Sequence, residues 1–307
     1  MSGDLLLLGA AHVHLADHLR VVGETGWRVT AVHDRDAGRR AEMSDRLNAH
    51  ALANLPDTPV WDAAIVCSET VHHEKDILHA LALGLPVFTE KPLAGSADAA
   101  TRLAERAERG GGRLVTNYFL RTNPAIEALR HALSEGRIGR VLEARFRFAH
   151  DGGFADWLDV TGWMSDPGRA CYGGFADEGV HVLDLAMTML GPLSPVALRR
   201  DAALGLPVDD HGTALLATRD GAPVTVEAGW TDKEMRLETD ILGTEGRIVL
   251  GRDGLTVRRR DGAGEERTPL SPLDSGSGCA AFLAGDALAT PREAAAVNAL
   301  LDALAGL

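Results

Sequence analysis

The apolar run from Asp4 to Leu8 stops at Gly9, and the pattern beyond that glycine narrows the possible folds. Leu15, Leu19 and Val22 recur at helical spacing until Gly23 and Gly26 break the pattern, and a second strand, Trp27 to Val32, closes with His33 and Asp34. A short run that is apolar on both faces suits a strand buried inside a parallel sheet. Strand, glycine turn, helix, strand and terminal acid, in that order, open a nucleotide-binding unit.

The rhythm continues. Ala63 to Cys67 reads as a strand, His73 to Leu83 as a helix, and Pro86 to Thr89 as a strand running into Glu90, Lys91 and Pro92. Residues 96 to 109 carry a helical Ala/Leu pattern with Ser96 as its cap, and Gly110 to Gly112 end it before the strand Arg113 to Thr116. Alternation of this kind predicts an α/β chain whose first domain, residues 1–120, is a doubly wound parallel sheet of the Rossmann type. Beyond it the segments are short and partly alternating, from Val141 to Ala149 and then from Gly212 to Arg260. Turn dipeptides such as Asp220-Gly221 and Asp253-Gly254 separate them. Residues 121–307 are therefore expected to form an α+β domain with a mainly antiparallel open sheet and a C-terminal helix.

Charge removes one class of partner. Thirty-one Lys and Arg stand against 44 Asp and Glu, a formal balance of −13, so the cationic surface that a phosphate backbone needs is missing. No apolar run approaches the ~20 residues that cross a bilayer, and no basic stretch precedes Leu5 to Leu8, so the chain is expected to be cytoplasmic. Cys67, Cys171 and Cys279 show no disulfide or zinc spacing.

Chemistry concentrates in three places. The turn Gly9-Ala10-Ala11-His12-Val13-His14 keeps only the first glycine of a dinucleotide fingerprint; Ala11 adds a methyl where backbone meets pyrophosphate, and His14 replaces the glycine that packs helix on strand. Asp34, about 20 residues on, can accept hydrogen bonds from ribose hydroxyls and repel a 2′-phosphate, which favours NAD, while Arg35 leaves NADP possible. His12 and His14 are not read as a metal pair, because no acidic or cysteine partner with ligand spacing comes after them. Lys91, at the carboxyl end of a parallel strand, can move a proton or polarise a carbonyl. In the run Gly173-Gly174-Phe175-Ala176-Asp177-Glu178-Gly179-Val180-His181, a helix starting near Asp177 puts residues 177, 181 and 184 on one face. A carboxylate and an imidazole so placed can act together; they can equally be a helix cap and a core histidine.

Together these motifs resemble the Gfo/Idh/MocA oxidoreductases. Glu90-Lys91-Pro92 matches the family's Glu-Lys-Pro signature. Gly173, Gly174, Asp177, Gly179, His181 and Asp184 match its Gly-Gly, Asp-x-Gly-x-His-x-x-Asp pattern. Asp62 to His73 resembles the third strand and its turn, with Ser68 where Thr is usual and Glu69 in place of Pro. The resemblance implies an NAD(P)-dependent dehydrogenase or reductase acting on a secondary alcohol or ketone of a sugar or cyclitol. It implies Lys91, Asp177 and His181 as the catalytic group, and Gly9, Ala11, His12, Asp34, Arg35, Ser68, His73 and Glu90 along the cofactor. Tyr118, Arg121, Trp157, Trp163 and Tyr172 are expected to wall the substrate, with no metal, no nucleic acid and no membrane involved, in a homodimer or homotetramer. A non-catalytic dinucleotide- or sugar-binding regulator, and an NAD-using glycosidase of the same fold, are the competing readings.

Overall fold

The computed structural model describes every residue except 1, 56, 156, 263, 264 and 307. The N-terminal half runs β1 (Ser2–Leu8), α1 (Leu15–Gly23), β2 (Gly26–His33), α2 (Ala37–Leu47), β3 (His50–Leu52), β4 (Ala63–Val66), α3 (His73–Ala82), β5 (Val87–Thr89), α4 (Ala97–Gly110) and β6 (Leu114–Thr116). Its six strands are all parallel, in the order β3-β2-β1-β4-β5-β6. The order reverses at β1, so the carboxyl ends of β1 and β4 flank the crevice where such sheets bind ligands. Leu5 to Leu8 are fully buried, as a central strand requires, each contributing about 1.5–3 kcal/mol. The Ser96 hydroxyl accepts from the Ala99 amide at 3.3 Å and starts α4 as expected.

The rest comprises α5 (Pro124–Ser134), β7 (Val141–Ala149), the short α6 (Pro167–Ala170), α7 (Gly174–Leu190) and β8 (Leu193–Asp201). After these come β9 (His211–Thr218), β10 (Pro223–Gly229), β11 (Arg236–Gly243), β12 (Gly246–Gly251), β13 (Gly254–Arg259), β14 (Glu265–Thr268), α8 (Ser277–Ala284) and α9 (Pro291–Ala305). The eight strands lie in the order β14-β13-β12-β11-β7-β10-β9-β8, antiparallel except where β10 runs parallel to β7. α7 packs on the face lined by Phe146, Phe148, Val224, Val226 and Ile241. β8 escapes a sequence reading because it is an edge strand, mostly solvent-facing and carrying Pro195.

The first unit's leading segment ends at residue 119, next to the expected limit at 120, and two later segments return to it. One compact unit is residues 1–119 with 168–171 and 274–299; the other is 120–167 with 172–273 and 300–307. Residues 274–299 belong with the first because α8 puts Cys279, Phe282 and Leu283 into the core that holds Leu5, Leu7 and Phe88. Periodicity marks such a helix but not the sheet it covers. Among the described residues no helix is long and apolar enough to cross a membrane.

Burial pushes the Cys279 thiol up to about 12, with Glu90 adding to the effect, and lifts Cys67 well above its ordinary value. A thiolate is the reactive form. At pH 8 an alkylating reagent is therefore expected to modify half-buried Cys171 first and all three thiols only after unfolding, as mass spectrometry would record. Native-state labelling of Cys279 at the unfolded rate would contradict this packing.

Candidate active site

The turn after β1 is shaped by contacts with the end of β4. Gly9 has φ +80°, and a Cβ there would lie 2.3 Å from the Ser68 Cα, so both conformation and space require glycine. The amides of Ala11 and His12 donate to the Cys67 carbonyl at 3.0 and 3.1 Å. Beside them the Ser68 hydroxyl is buried with no hydrogen-bond partner among the described residues. An orphaned hydroxyl at a strand's carboxyl end, next to a glycine turn, fits a ligand that brings its own polar atoms.

Asp34 stands at the tip of β2, but its carboxylate is already engaged. Oδ1 accepts from the Asp36 amide at 2.8 Å and Arg39 Nη2 at 2.9 Å; Oδ2 accepts from the Ala10 amide at 2.8 Å and Arg39 Nε at 2.9 Å. Two lone pairs per oxygen are thereby used. Burial alone would raise this carboxyl; the Arg39 bonds, with those from Ala10 and Asp36, more than reverse it and hold it below its ordinary value. Arg39 also reaches Glu69 at 3.2 Å, and Glu69 takes a two-point clasp from Arg169 at 2.6 and 3.1 Å. Glu69 thus ties α2 and residues 168–171 together. Arg35, expected along the cofactor, gives its fork to buried Asp76 on α3 at 2.7 and 3.0 Å. The guanidinium beside Asp34 is that of Arg39.

The Glu-Lys-Pro segment succeeds β5. Glu90 is fully buried, and Oε1 faces His18 Nε2 at 2.5 Å, Asn117 Nδ2 at 2.9 Å and His14 Nδ1 at 3.2 Å, while the Lys91 amide donates to Oε2 at 3.1 Å. Burial would raise the Glu90 carboxyl; the imidazoles of His12, His14 and His18 drive it well below the carboxylate range. Burial pushes the His12 imidazole well below its ordinary value, with Glu90 opposing that shift. His73 is also buried, its ring nitrogens 2.9 Å from the Pro92 carbonyl and 3.1 Å from that of Ser68. It therefore braces the loops after β4 and β5, and Lys91, 2% exposed, sits between Glu90 and that brace.

In the second unit α7 begins at Gly174, three residues before Asp177. The cap is tertiary: the Asp209 carbonyl and carboxylate accept from the Gly174 and Phe175 amides at 2.6 and 2.9 Å. A Cβ on Gly173 would lie 2.6 Å from Asp209, and one on Gly174 2.7 Å from the Asp210 carbonyl, which accounts for the glycine pair. Asp177 accepts from the Trp230 indole at 2.8 Å. One turn on, His181 is buried and meets the Phe148 ring edge-on, centroids 5.5 Å apart. Asp184 takes the fork of Arg121 at 2.6 and 2.8 Å. Of the expected wall, Tyr118 is buried, Trp163 half-buried and Tyr172 bonded to Asp302 at 2.7 Å. Trp157 is 48% exposed, its ring over His150 and its indole on Asp151.

Residues 5–118 match the model described as an oxidoreductase family with an NAD-binding Rossmann fold, and residues 126–249 match the GFO/IDH/MocA C-terminal domain. An inositol 2-dehydrogenase of Acidothermus cellulolyticus is 31% identical over 86% of this chain and 77% of its own length. The chain belongs to the Gfo/Idh/MocA oxidoreductase family. A 1,5-anhydro-D-fructose reductase of Ensifer adhaerens is 28% identical over 87% of this chain and 83% of its own. Among solved structures, a levoglucosan dehydrogenase in complex with NADH and levoglucosan shares the fold at TM-score 0.83 and 19% identity, covering 100% of this chain and 97% of that one. Membership assigns a nicotinamide dinucleotide to the first unit, and the Gly9 turn with the orphaned Ser68 hydroxyl fits one.

Sequence reasoning misses Arg39, the Glu69–Arg169 clasp, His18, Asn117, Trp230 and Asp209. Arg39 carries a signal, since Asp36 caps α2 through the Arg39 amide and so faces residue 39 toward the strand end. The others meet their partners across long sequence separations.

Proposed function

We propose that this enzyme passes a hydride between nicotinamide and a secondary alcohol or ketone of a sugar or cyclitol, with Lys91 and His181 handling the hydroxyl proton. The observation that carries the reading is the pairing of a Rossmann unit bearing Glu90-Lys91-Pro92 with a helix that sets Asp177 and His181 one turn apart. The names of the relatives, inositol 2-dehydrogenase and 1,5-anhydro-D-fructose reductase, support polyhydroxylated substrates. Gly9, Ala11 and Ser68 would line the dinucleotide, whose ring supplies the hydride chemistry when bound. His181 takes the hydroxyl proton or returns it, Lys91 places positive charge by the reacting oxygen, and Asp177, steadied by Trp230, orients the site. Glu90 and His73 position Lys91. The reaction needs no part of the second sheet's outer face, and we assign self-association there, around exposed Leu142, Leu215 and Leu242. Three free cysteines suit a reducing cytoplasm.

The test is a panel of cyclitols, anhydrosugars and sugar acids assayed with NAD and NADP, guided by mass spectrometry of co-purifying small molecules. Turnover on one class is expected; release of a sugar from a glycoside without net redox change would assign a different reaction.

Asp34 can serve ribose hydroxyls only as Arg39 gives way, and Arg39 is the cation a 2′-phosphate would meet. Arg39→Ala is expected to weaken NADPH relative to NADH by about tenfold or more, the worth of one charge-assisted contact. Fluorescence titration of both cofactors checks it, and an unchanged ratio would remove Arg39 from cofactor choice.

A further inference from the structure

The pair His12 and His14 lacks a third ligand in the sequence around it, and the sheet provides one. Glu90 arrives from the end of β5, 76 residues after His14, and its carboxylate lies against both rings: His14 Nδ1 is 3.2 Å from Oε1 and His12 Nε2 3.7 Å from Oε2. The three ligand atoms all lie within 4.8 Å of one another. A first-row ion with bonds of about 2.1 Å in tetrahedral array separates its ligands by about 3.4 Å, the spacing already present around the carboxylate. We propose that His12, His14 and Glu90 form a binding site for a divalent transition-metal ion, Zn²⁺ foremost, in the β1–α1 turn.

Two imidazoles and one carboxylate form a donor set of the zinc and non-haem iron class, which leaves coordination positions open. The carboxylate is oriented from behind, as ligating carboxylates are, because His18 and Asn117 hold Oε1 at 2.5 and 2.9 Å and the Lys91 amide holds Oε2 at 3.1 Å. Entry is from the side of His14, whose side chain is 21% exposed while those of His12 and Glu90 are closed off at 1% and 0%. Loading on Nε2 requires the His12 proton to sit on Nδ1. That forfeits the 3.2 Å bond His12 Nδ1 accepts from the His14 amide, and the coordinate bonds offset it. The site goes beyond the oxidoreductase reading and stands or falls without it.

The experiment uses the full chain, stripped with a chelator and titrated with Zn²⁺ by calorimetry and with Co²⁺ by visible absorption. One equivalent is expected to bind, with cobalt d–d bands of a low-coordinate nitrogen and oxygen site. His14→Ala, at a partly exposed position, is expected to weaken binding by about 100-fold or more, and Glu90→Gln to do the same where it folds. His50→Ala, an exposed histidine, serves as the control and is expected to leave affinity unchanged. Absence of Zn²⁺ binding to the wild type, or equal binding by His14→Ala, would overturn the site.

Discussion

Lys91→Ala is expected to lower kcat by about 10²- to 10⁴-fold, the span of a removed proton-transfer or charge-stabilising group, while NADH affinity stays nearly as in the wild type. The reason is placement. Lys91 lies just past β5, 2% exposed, with its own amide on Glu90 and the neighbouring Pro92 carbonyl on His73. A cation in so little water acts on a nearby oxygen far more strongly than one in bulk solvent. Lys91→Arg keeps the charge but swaps a point ammonium for a planar fork, so partial activity at best is expected. Lys91→Met keeps the apolar stem and separates charge from packing. Steady-state kinetics, cofactor titration and melting curves on the three variants decide the matter: a wild-type kcat in Lys91→Ala would take the lysine out of the reaction, and a parallel loss of NADH binding would make it a scaffold residue.

His181→Asn carries the second large effect, a fall in kcat of the same order with the fold retained. His181 is buried, faces Phe148 edge-on and lies one turn beyond Asp177, whose carboxylate is steadied by the Trp230 indole. A core histidine of purely structural use would show its loss in the melting temperature and leave the pH profile alone. A proton carrier shows the reverse: the limb of kcat/KM that tracks imidazole ionisation disappears, and added imidazole restores part of the rate to His181→Ala. Asp177→Asn is expected to be milder, because the amide can still accept from Trp230 while the negative charge is gone. If His181→Asn keeps the wild-type pH profile, the imidazole belongs to the core.

Legibility from sequence falls with distance along the chain. The strand of Leu5 to Leu8, the Ser96 cap and the parallel sheet are local matters of periodicity and turn chemistry, and they are readable directly. The strand-end position of Asp34 is equally local, yet its cationic neighbour is not: adjacency suggests Arg35, whereas the turn into α2 carries Arg35 to Asp76 and swings Arg39 back. Sequence places the start of α7 three residues late because the cap comes from Asp209, 35 residues downstream of Gly174 on the far side of β8. The return of residues 274–299 to the first unit is non-local in the same way, since α8 covers a sheet formed by the first 116 residues. Glu90 is recognisable as a motif residue, but its cage of His14, His18 and Asn117 exists only once β1, β5 and β6 are assembled in one sheet.

One chain is proposed to join a unit for the dinucleotide, which would exchange hydride with a sugar or cyclitol, to side chains that handle the accompanying proton. The most direct test is initial rates of nicotinamide oxidation and reduction, monitored by absorbance, across the polyol panel for the wild type, Lys91→Ala and His181→Asn in parallel, with NADH affinity measured on the same samples. Turnover of at least one cyclitol or sugar derivative is expected from the wild type, with its loss in both variants while NADH still binds. Tight NADH binding by all three proteins with no turnover of any panel member would contradict this and leave the chain a dinucleotide-binding regulator.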